Sequence, residues 1–273
     1  MGMLGQEEYV EQEFFFQAFL ERLHEGYSSQ EILRAMKSEL LSTTKLPLAV
    51  DFLLAEIRLS GVMSTAMKRM SHYFTPFQTF IISEAERQEG RFDFFIALEI
   101  LQKEAGYRSK APTPQGSFFY QLESLSRNRL GFDLGLEAIS LDPIFNDDWQ
   151  KWVNITLRRQ IGIIDLANLI YVRSAYYQKD GSEEEEEVAV LFGEREGRIA
   201  WASRRRDPAF FFAALARHLN YPGVPHHAPA KKTEDAIPVL KRRIELLENK
   251  LQLLDEEMHG GIKLEKFIKK SEK

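Results

Sequence analysis

The stretch that most constrains this chain is residues 61–93, because its punctuation leaves room only for short helices. Gly61 stops one apolar pattern and Ser64 starts another that ends near His72. The knot Tyr73-Phe74-Thr75-Pro76-Phe77 then opens a helix at Pro76, and Gly90 closes it after Glu84-Ala85-Glu86-Arg87-Gln88-Glu89. Proline in the first turn and glycine just past the last are the preferred helix ends. The same grammar runs upstream. From Glu7 to Leu23, Val10, Phe14, Ala18 and the neighbouring Phe15, Phe19, Leu23 recur at three- and four-residue steps, and Gly26 is a stop. Ser28 or Ser29 with Glu31 reads as a helix start, followed by Ile32, Leu33, Met36 and Leu40. Pro47 lies in the first turn of a third helix, and residues 92–105 make a sixth. Six helices with short connections in residues 7–107 predict a bundle.

Residues 106–114 carry two prolines and several polar side chains and read as a linker. A second mainly helical region, 115–222, follows, with helices expected over 117–129, 134–140, 148–160 and 165–177. Trp149 and Trp152, three apart on one face, read as packing residues. The five glutamates within residues 181–187 repel one another in any compact setting, so this segment reads as a solvated acidic loop. Beyond it, Val188 to Phe192 and Ile199 to Trp201 flank Gly193-Glu194-Arg195-Glu196-Gly197, the pattern of one β-hairpin within residues 188–201. Asp207-Pro208 starts an apolar helix through Leu219, and residues 221–230, with three prolines, form a second linker.

The C-terminal segment, 234–258, is the clearest periodic element. Ile237, Leu240, Ile244, Leu247, Leu251, Leu254 and Met258 alternate at three and four residues, the a and d positions of about three heptads. A parallel pair would set Arg243 against Glu248 and Lys250 against Asp255, both attractive, whereas an antiparallel pair brings like charges together. A parallel homodimer is one reading. Leu246 and Leu253 widen the apolar face, and the other reading is a helix that packs back on its own domain. Residues 259–273 form a basic tail. The expected fold class is therefore mainly α: a helical bundle, a second mostly helical region with one hairpin, and a C-terminal coiled-coil helix.

Composition narrows the function classes. The chain has no cysteine, which removes disulfides, thiolate nucleophiles and Cys-based zinc sites and suits a reducing compartment. Its start lacks the basic residues and apolar run of a secretory signal, and no segment offers about 18 uninterrupted apolar residues. A soluble cytoplasmic protein without a transmembrane segment is expected. A net charge of −5 argues against nucleic acid as the main partner, because phosphate neutralisation needs clustered excess Lys and Arg.

Signatures of catalysis are lacking: no glycine-rich phosphate loop with Lys, no G-x-G-x-x-G, no H-E-x-x-H and no G-x-S-x-G occurs. Glu21 and His24 form one E-x-x-H, where a di-iron bundle needs two with further carboxylates, and His226-His227 has no acidic neighbour. No catalytic residue, cofactor or metal is expected. The one concentrated basic patch is Arg195, Arg198, Arg204, Arg205 and Arg206. It could grip phosphate or a partner's carboxylates, or be neutralised within the chain by Glu194, Glu196, Asp207 and the glutamate run.

The spacing in the opening stretch carries a resemblance. Phe14-Phe15-Phe16-Gln17 starting a helix, Gly26 closing it, then Met63-Ser64-x-Ala66-Met67, Phe74, Glu86, Gly90 and Asp93 resemble the cytoplasmic six-helix (F-type) domain of the inner-membrane platform proteins of type II secretion and type IV pili. It covers about residues 9–107. Ala85 stands where that family has Gly before Glu86, and one extra residue precedes Gly90. Phe118-Phe119-Tyr120-Gln121, followed by Gly135-Leu136-Glu137-Ala138-Ile139, resembles a second, degenerate copy of the opening. Platform proteins follow each such domain with membrane spans, and this chain has linkers there, so the membrane-platform role does not carry over. The full-length pattern also resembles an uncharacterised bacterial family of the planctomycete type, which implies no site residues. The expectation is a non-enzymatic scaffold or adaptor acting through helical contacts, with a secretion or envelope assembly as the place the resemblance implies. The alternative is an anion- or nucleotide-binding protein or enzyme using the Arg-rich residues 193–207.

Overall fold

Helix ends in the first region fall where side chains can satisfy the backbone groups that a helix leaves unpaired. In the computed structural model, which describes residues 2–87, 92–161, 165–179, 189–226, 244, 245, 247, 248 and 251, this region holds α1 (Gln6–His24), α2 (Ser29–Met36), α3 (Leu46–Ser60), α4 (Ser64–Arg69), α5 (Pro76–Glu86) and α6 (Phe94–Arg108). Ser28 with Glu31 and Thr75 with Gln78 form complete capping boxes on α2 and α5. Gly61, at φ 74°, takes the left-handed turn that ends α3.

Carboxylates from distant helices cap the remaining ends. Glu86 accepts the backbone N–H of Met63 at 2.7 Å and of Ser64 at 2.9 Å, so the end of α5 caps the start of α4. Glu11 and Glu8 of α1 accept the N–H of Leu41 at 3.0 Å and of Lys45 at 2.9 Å, pinning the connection between α2 and α3. Between the helices lies one apolar core, with Phe15, Phe16, Phe19, Leu33, Leu53, Phe77 and Leu98 all fully buried. Of the two apolar stripes read on α1, Phe15, Phe19 and Leu23 face this core. Val10 and Phe14 face outward.

The second region contains α7 (Pro114–Arg127), α8 (Phe132–Ser140), α9 (Asp147–Lys151), a π-helical turn (Trp152–Leu157), α10 (Arg158–Gln160), α11 (Leu166–Val172), α12 (Ala175–Lys179), α13 (Glu194–Ser203) and α14 (Pro208–Leu219). Its centre is an aromatic cluster. The ring of Phe118 lies 5.2 Å from Trp149 and 5.3 Å from Trp152, and Phe192 lies 5.0 Å from Trp149. The buried apolar residues of both regions belong to one contiguous cluster.

Three sequence expectations are corrected. Residues 106–114 are not simply a linker: α6 continues through Arg108 and α7 begins at Pro114, leaving a short turn. The helix expected over 165–177 breaks at Arg173, where Ser174 bridges Phe192 in parallel. In place of a hairpin at 188–201 there is helix α13, and no strand is found among the described residues. The glycines that looked like hairpin turn residues serve helix packing instead. Gly193 precedes the first turn, where Glu194 and Glu196 suit the helix dipole. A Cβ on Gly197 would lie 2.7 Å from Tyr176 Cβ and closer still to Ser174 Oγ, so only glycine lets α13 approach α12.

A buried ionic network joins the two regions. Arg108 of α6 donates through Nη2 to Glu104 at 3.0 Å and to Asp142, while Gln121 of α7 donates to Glu104 at 3.0 Å and to Asp142 at 2.8 Å. The Arg108 guanidinium also lies 5.7 Å from the centre of the Tyr9 ring of α1. Burial raises the Glu104 carboxyl above the ordinary glutamate range; Arg108 opposes this and Asp142 adds to it. Burial alone would lower the Arg108 guanidinium, but Asp142 and Glu104 outweigh it and hold it charged.

Candidate functional site

The connection between α13 and α14 places a left-handed non-glycine residue on the wall of a cavity. Helix α13 ends at Ser203, Arg204 leaves the helical conformation at φ −55° and ψ 135°, and Arg205 takes the left-handed conformation at φ 61°. For a residue with a Cβ that conformation costs roughly 1–2 kcal/mol. Asp165 holds it. One carboxylate oxygen accepts the Arg205 N–H at 3.0 Å and the other caps α11 through the Ala167 N–H at 3.1 Å. Asp207 then caps α14 through the Ala209 N–H at 2.8 Å, with Pro208 in the first turn.

Two adjoining cavities meet at Asp165. One, of about 340 Å³, is mainly apolar and is lined by Leu122, Phe132, Ile161, Leu166, Phe211 and Phe212, with Ser126, Ser203 and Arg206 also on its wall. The other, of about 490 Å³, is polar and is lined by Asp165, Asn168, Trp201, Arg204 and Arg205. Both volumes fall in the range of small-ligand pockets. Among the described residues, three arginines and one aspartate line the pair.

The five arginines of the sequence patch separate into two groups. Arg195 and Arg198 lie on α13 and Arg204 just past its end, about 13 Å along the axis from Arg195 and about 9 Å from Arg198 at 1.5 Å per residue. Arg198 pairs with Glu194 and sits 5.5 Å from the Tyr176 ring. Arg195 is exposed and lines neither cavity. Arg204 stacks 3.0 Å from the centre of the Trp201 ring and 5.4 Å from that of Tyr171, so its charge is held in a fixed orientation. Among the described residues, no carboxylate lies within ion-pair distance of Arg204, Arg205 or Arg206.

Among the described residues, an internal ion pair is therefore seen for Arg198 and not for the three arginines at the cavities. The named acids are engaged elsewhere: Glu196 lies 3.0 Å from His218 Nε2, and Asp207 is a helix cap. The glutamate run falls outside the described residues.

Of the heptad positions, Ile244, Leu247 and Leu251 are helical and exposed at 53%, 58% and 64%. Ile237, Leu240, Leu254 and Met258 lie outside the described residues, as does the basic tail. Beside the seam, Glu245 accepts the Ser29 N–H at 3.0 Å, which sets this helix against the start of α2. A second outward apolar row lies on α3, where Leu48, Phe52 and Leu59 are exposed. Glu21 and His24 are not brought together: Glu21 accepts from Gln17, and the His24 ring stacks 4.5 Å from Phe95.

Asp165, Asn168, Trp201 and Ser126 were not singled out by sequence. Asp165 reads only as an interruption of an apolar run, and the cavity walls come from segments up to about ninety positions apart. Among the described residues no cluster of three or more His, Asp or Glu side chains is placed to hold a metal ion, and no helix is long and apolar enough to cross a membrane. No family model matches the chain, and no curated protein or solved structure is significantly similar to it.

Proposed function

We propose that this chain is a non-enzymatic cytoplasmic scaffold or adaptor that binds through helical surfaces and pairs with a second copy through its C-terminal helix. The observation that carries the reading is the outward row Ile244, Leu247 and Leu251, a helical apolar seam exposed on more than half of each side chain. The flanking charges of the heptads favour a parallel partner. The outward row on α3 offers a further apolar surface for a different partner. The resemblance of residues 9–107 to secretion-platform domains makes a secretion or envelope assembly the partner class to test first. Light scattering on the full chain and on a truncation before Thr233 checks the pairing. A dimer that becomes a monomer on truncation is expected, and two monomers overturn it.

A second reading is favoured by a separate observation, three arginines that have no carboxylate partner among the described residues and line the Asp165 cavities. In that reading the α13–α14 connection binds an anionic ligand. Replacing Arg204, Arg205 and Arg206 together by Ala should abolish binding of phosphorylated ligands, and unchanged binding overturns it.

A further inference from the structure

We propose that the two cavities beside Asp165 form a single site for a free anionic amphiphile, a molecule with an apolar chain or ring and a carboxylate or phosphate head. This rests on the anion-binding reading above and adds the body of the ligand to it. The apolar cavity is lined by Phe132, Leu166, Phe211 and other apolar side chains, with Ser203 and Arg206 on its wall, and it shares Asp165 with the polar cavity lined by Arg204 and Arg205. An apolar body buried there leaves its head among guanidinium groups, whose planar forks match carboxylate and phosphate oxygens. Phosphate alone would leave the apolar cavity unused, and an uncharged hydrocarbon would leave the arginines unused.

The site is organised before the ligand arrives. Arg204 is fixed by Trp201 and Tyr171. Among the described residues Asp165 is the one acidic residue on the walls, and both its carboxylate oxygens accept backbone N–H groups, so it holds the Arg205 turn. The left-handed Arg205 backbone is the kind of local strain that collects at binding sites. A wall set in place beforehand reduces the ordering cost of binding.

The test uses the full chain and follows tryptophan fluorescence during titration with decanoate below its micelle concentration. Trp201 is half-exposed on the polar cavity while Trp149 and Trp152 are buried, and Trp201→Phe identifies the signal. Decanoate should bind, and affinity should rise about two- to fourfold per methylene from hexanoate to decanoate. Arg206→Gln, and Arg205→Gly, which suits the left-handed backbone, should each weaken decanoate about tenfold or more. Ser126→Leu, which fills the apolar cavity, should weaken decanoate and leave inorganic phosphate unchanged. Circular dichroism and thermal midpoint confirm that each variant folds.

Phosphate or acetate binding as tightly as decanoate would overturn the amphiphile and leave the anion reading standing. Binding of no anion would overturn both. Decanol or decyltrimethylammonium binding as tightly as decanoate would remove the role given to the arginines. Capture on anionic phospholipid vesicles without binding of monomeric decanoate would make the region a membrane-surface contact and overturn the free ligand.

Discussion

The two helical regions each open on a helix whose adjacent phenylalanines stand edge to face 5.2 Å apart, Phe15 with Phe16 and Phe118 with Phe119, and from there they diverge. After α1 the chain forms helices with clear ends, closed by capping boxes, a left-handed glycine and carboxylates reaching between helices. After α7 the helices shorten, one passes through a π-helical turn, and the non-glycine residues Arg129, Arg205 and Asn220 take left-handed backbone. The same starting pair thus leads to two kinds of packing. In the first region local signals and tertiary contacts agree, and in the second the tertiary contacts set the local structure. Cavities and strain coincide in the second.

The largest expected effect is at the joint. Arg108→Ala leaves Asp142 and Glu104 buried without their cation, and breaking a buried pair in this way costs about 3–5 kcal/mol. Urea unfolding should show that loss, and hydrogen exchange should quicken in α1 and α8 alike. A loss below about 1 kcal/mol, or one confined to a single region, would mean that the regions are coupled by apolar contact alone.

Gly197→Ala sets the comparison on its sign. Helix propensity alone predicts a gain of up to about 1 kcal/mol at a helix-interior position. Because the added Cβ meets Ser174 and Tyr176, the expected outcome is a loss of about 1–3 kcal/mol in thermal or urea unfolding. A gain would show that α13 obeys local preference as the first region does.

That contrast also explains what could be read from the chain. Ser28, Pro76 and Gly61 announce helix ends by their own chemistry, and each acts there in the structure. The pairing of Glu86 with Met63 and Ser64 gives a physical reason for the spacing that singled out residues 61–93. Gly193 and Gly197 carried an ambiguous signal, since glycine marks a hairpin turn and also a close helix contact, and only the approach of Ser174 and Tyr176 decides between them. The arginines of the candidate site were visible as a cluster. Their division between α13 and the turn after it, and the adjoining cavities that three of them line, depend on contacts that no spacing encodes.

In the first region, Thr75→Ala removes the oxygen that accepts the Gln78 N–H at 3.2 Å and should cost about 1 kcal/mol. Thermal unfolding measures it. A loss well above that value would mean that Thr75 acts in the core as well as at the helix end, which would blur the distinction between the two regions.

The smallest expected effect, and the most specific, is a pH dependence at Glu104. Burial raises this carboxyl, so the folded protein binds its proton more tightly than the unfolded chain does. The stability linked to that proton is complete below the unfolded glutamate range, about pH 4.3, and declines as pH rises through the higher folded value. Glu104→Gln keeps the size and the hydrogen-bonding carbonyl but has no proton to lose. Measured against wild type by urea unfolding, its relative stability should improve from pH 4 towards pH 8, because the variant escapes the cost of a buried carboxylate. Relative stability that worsens over the same interval would show that attraction to Arg108 outweighs burial, and that the joint is held by a full salt bridge on both sides of the guanidinium.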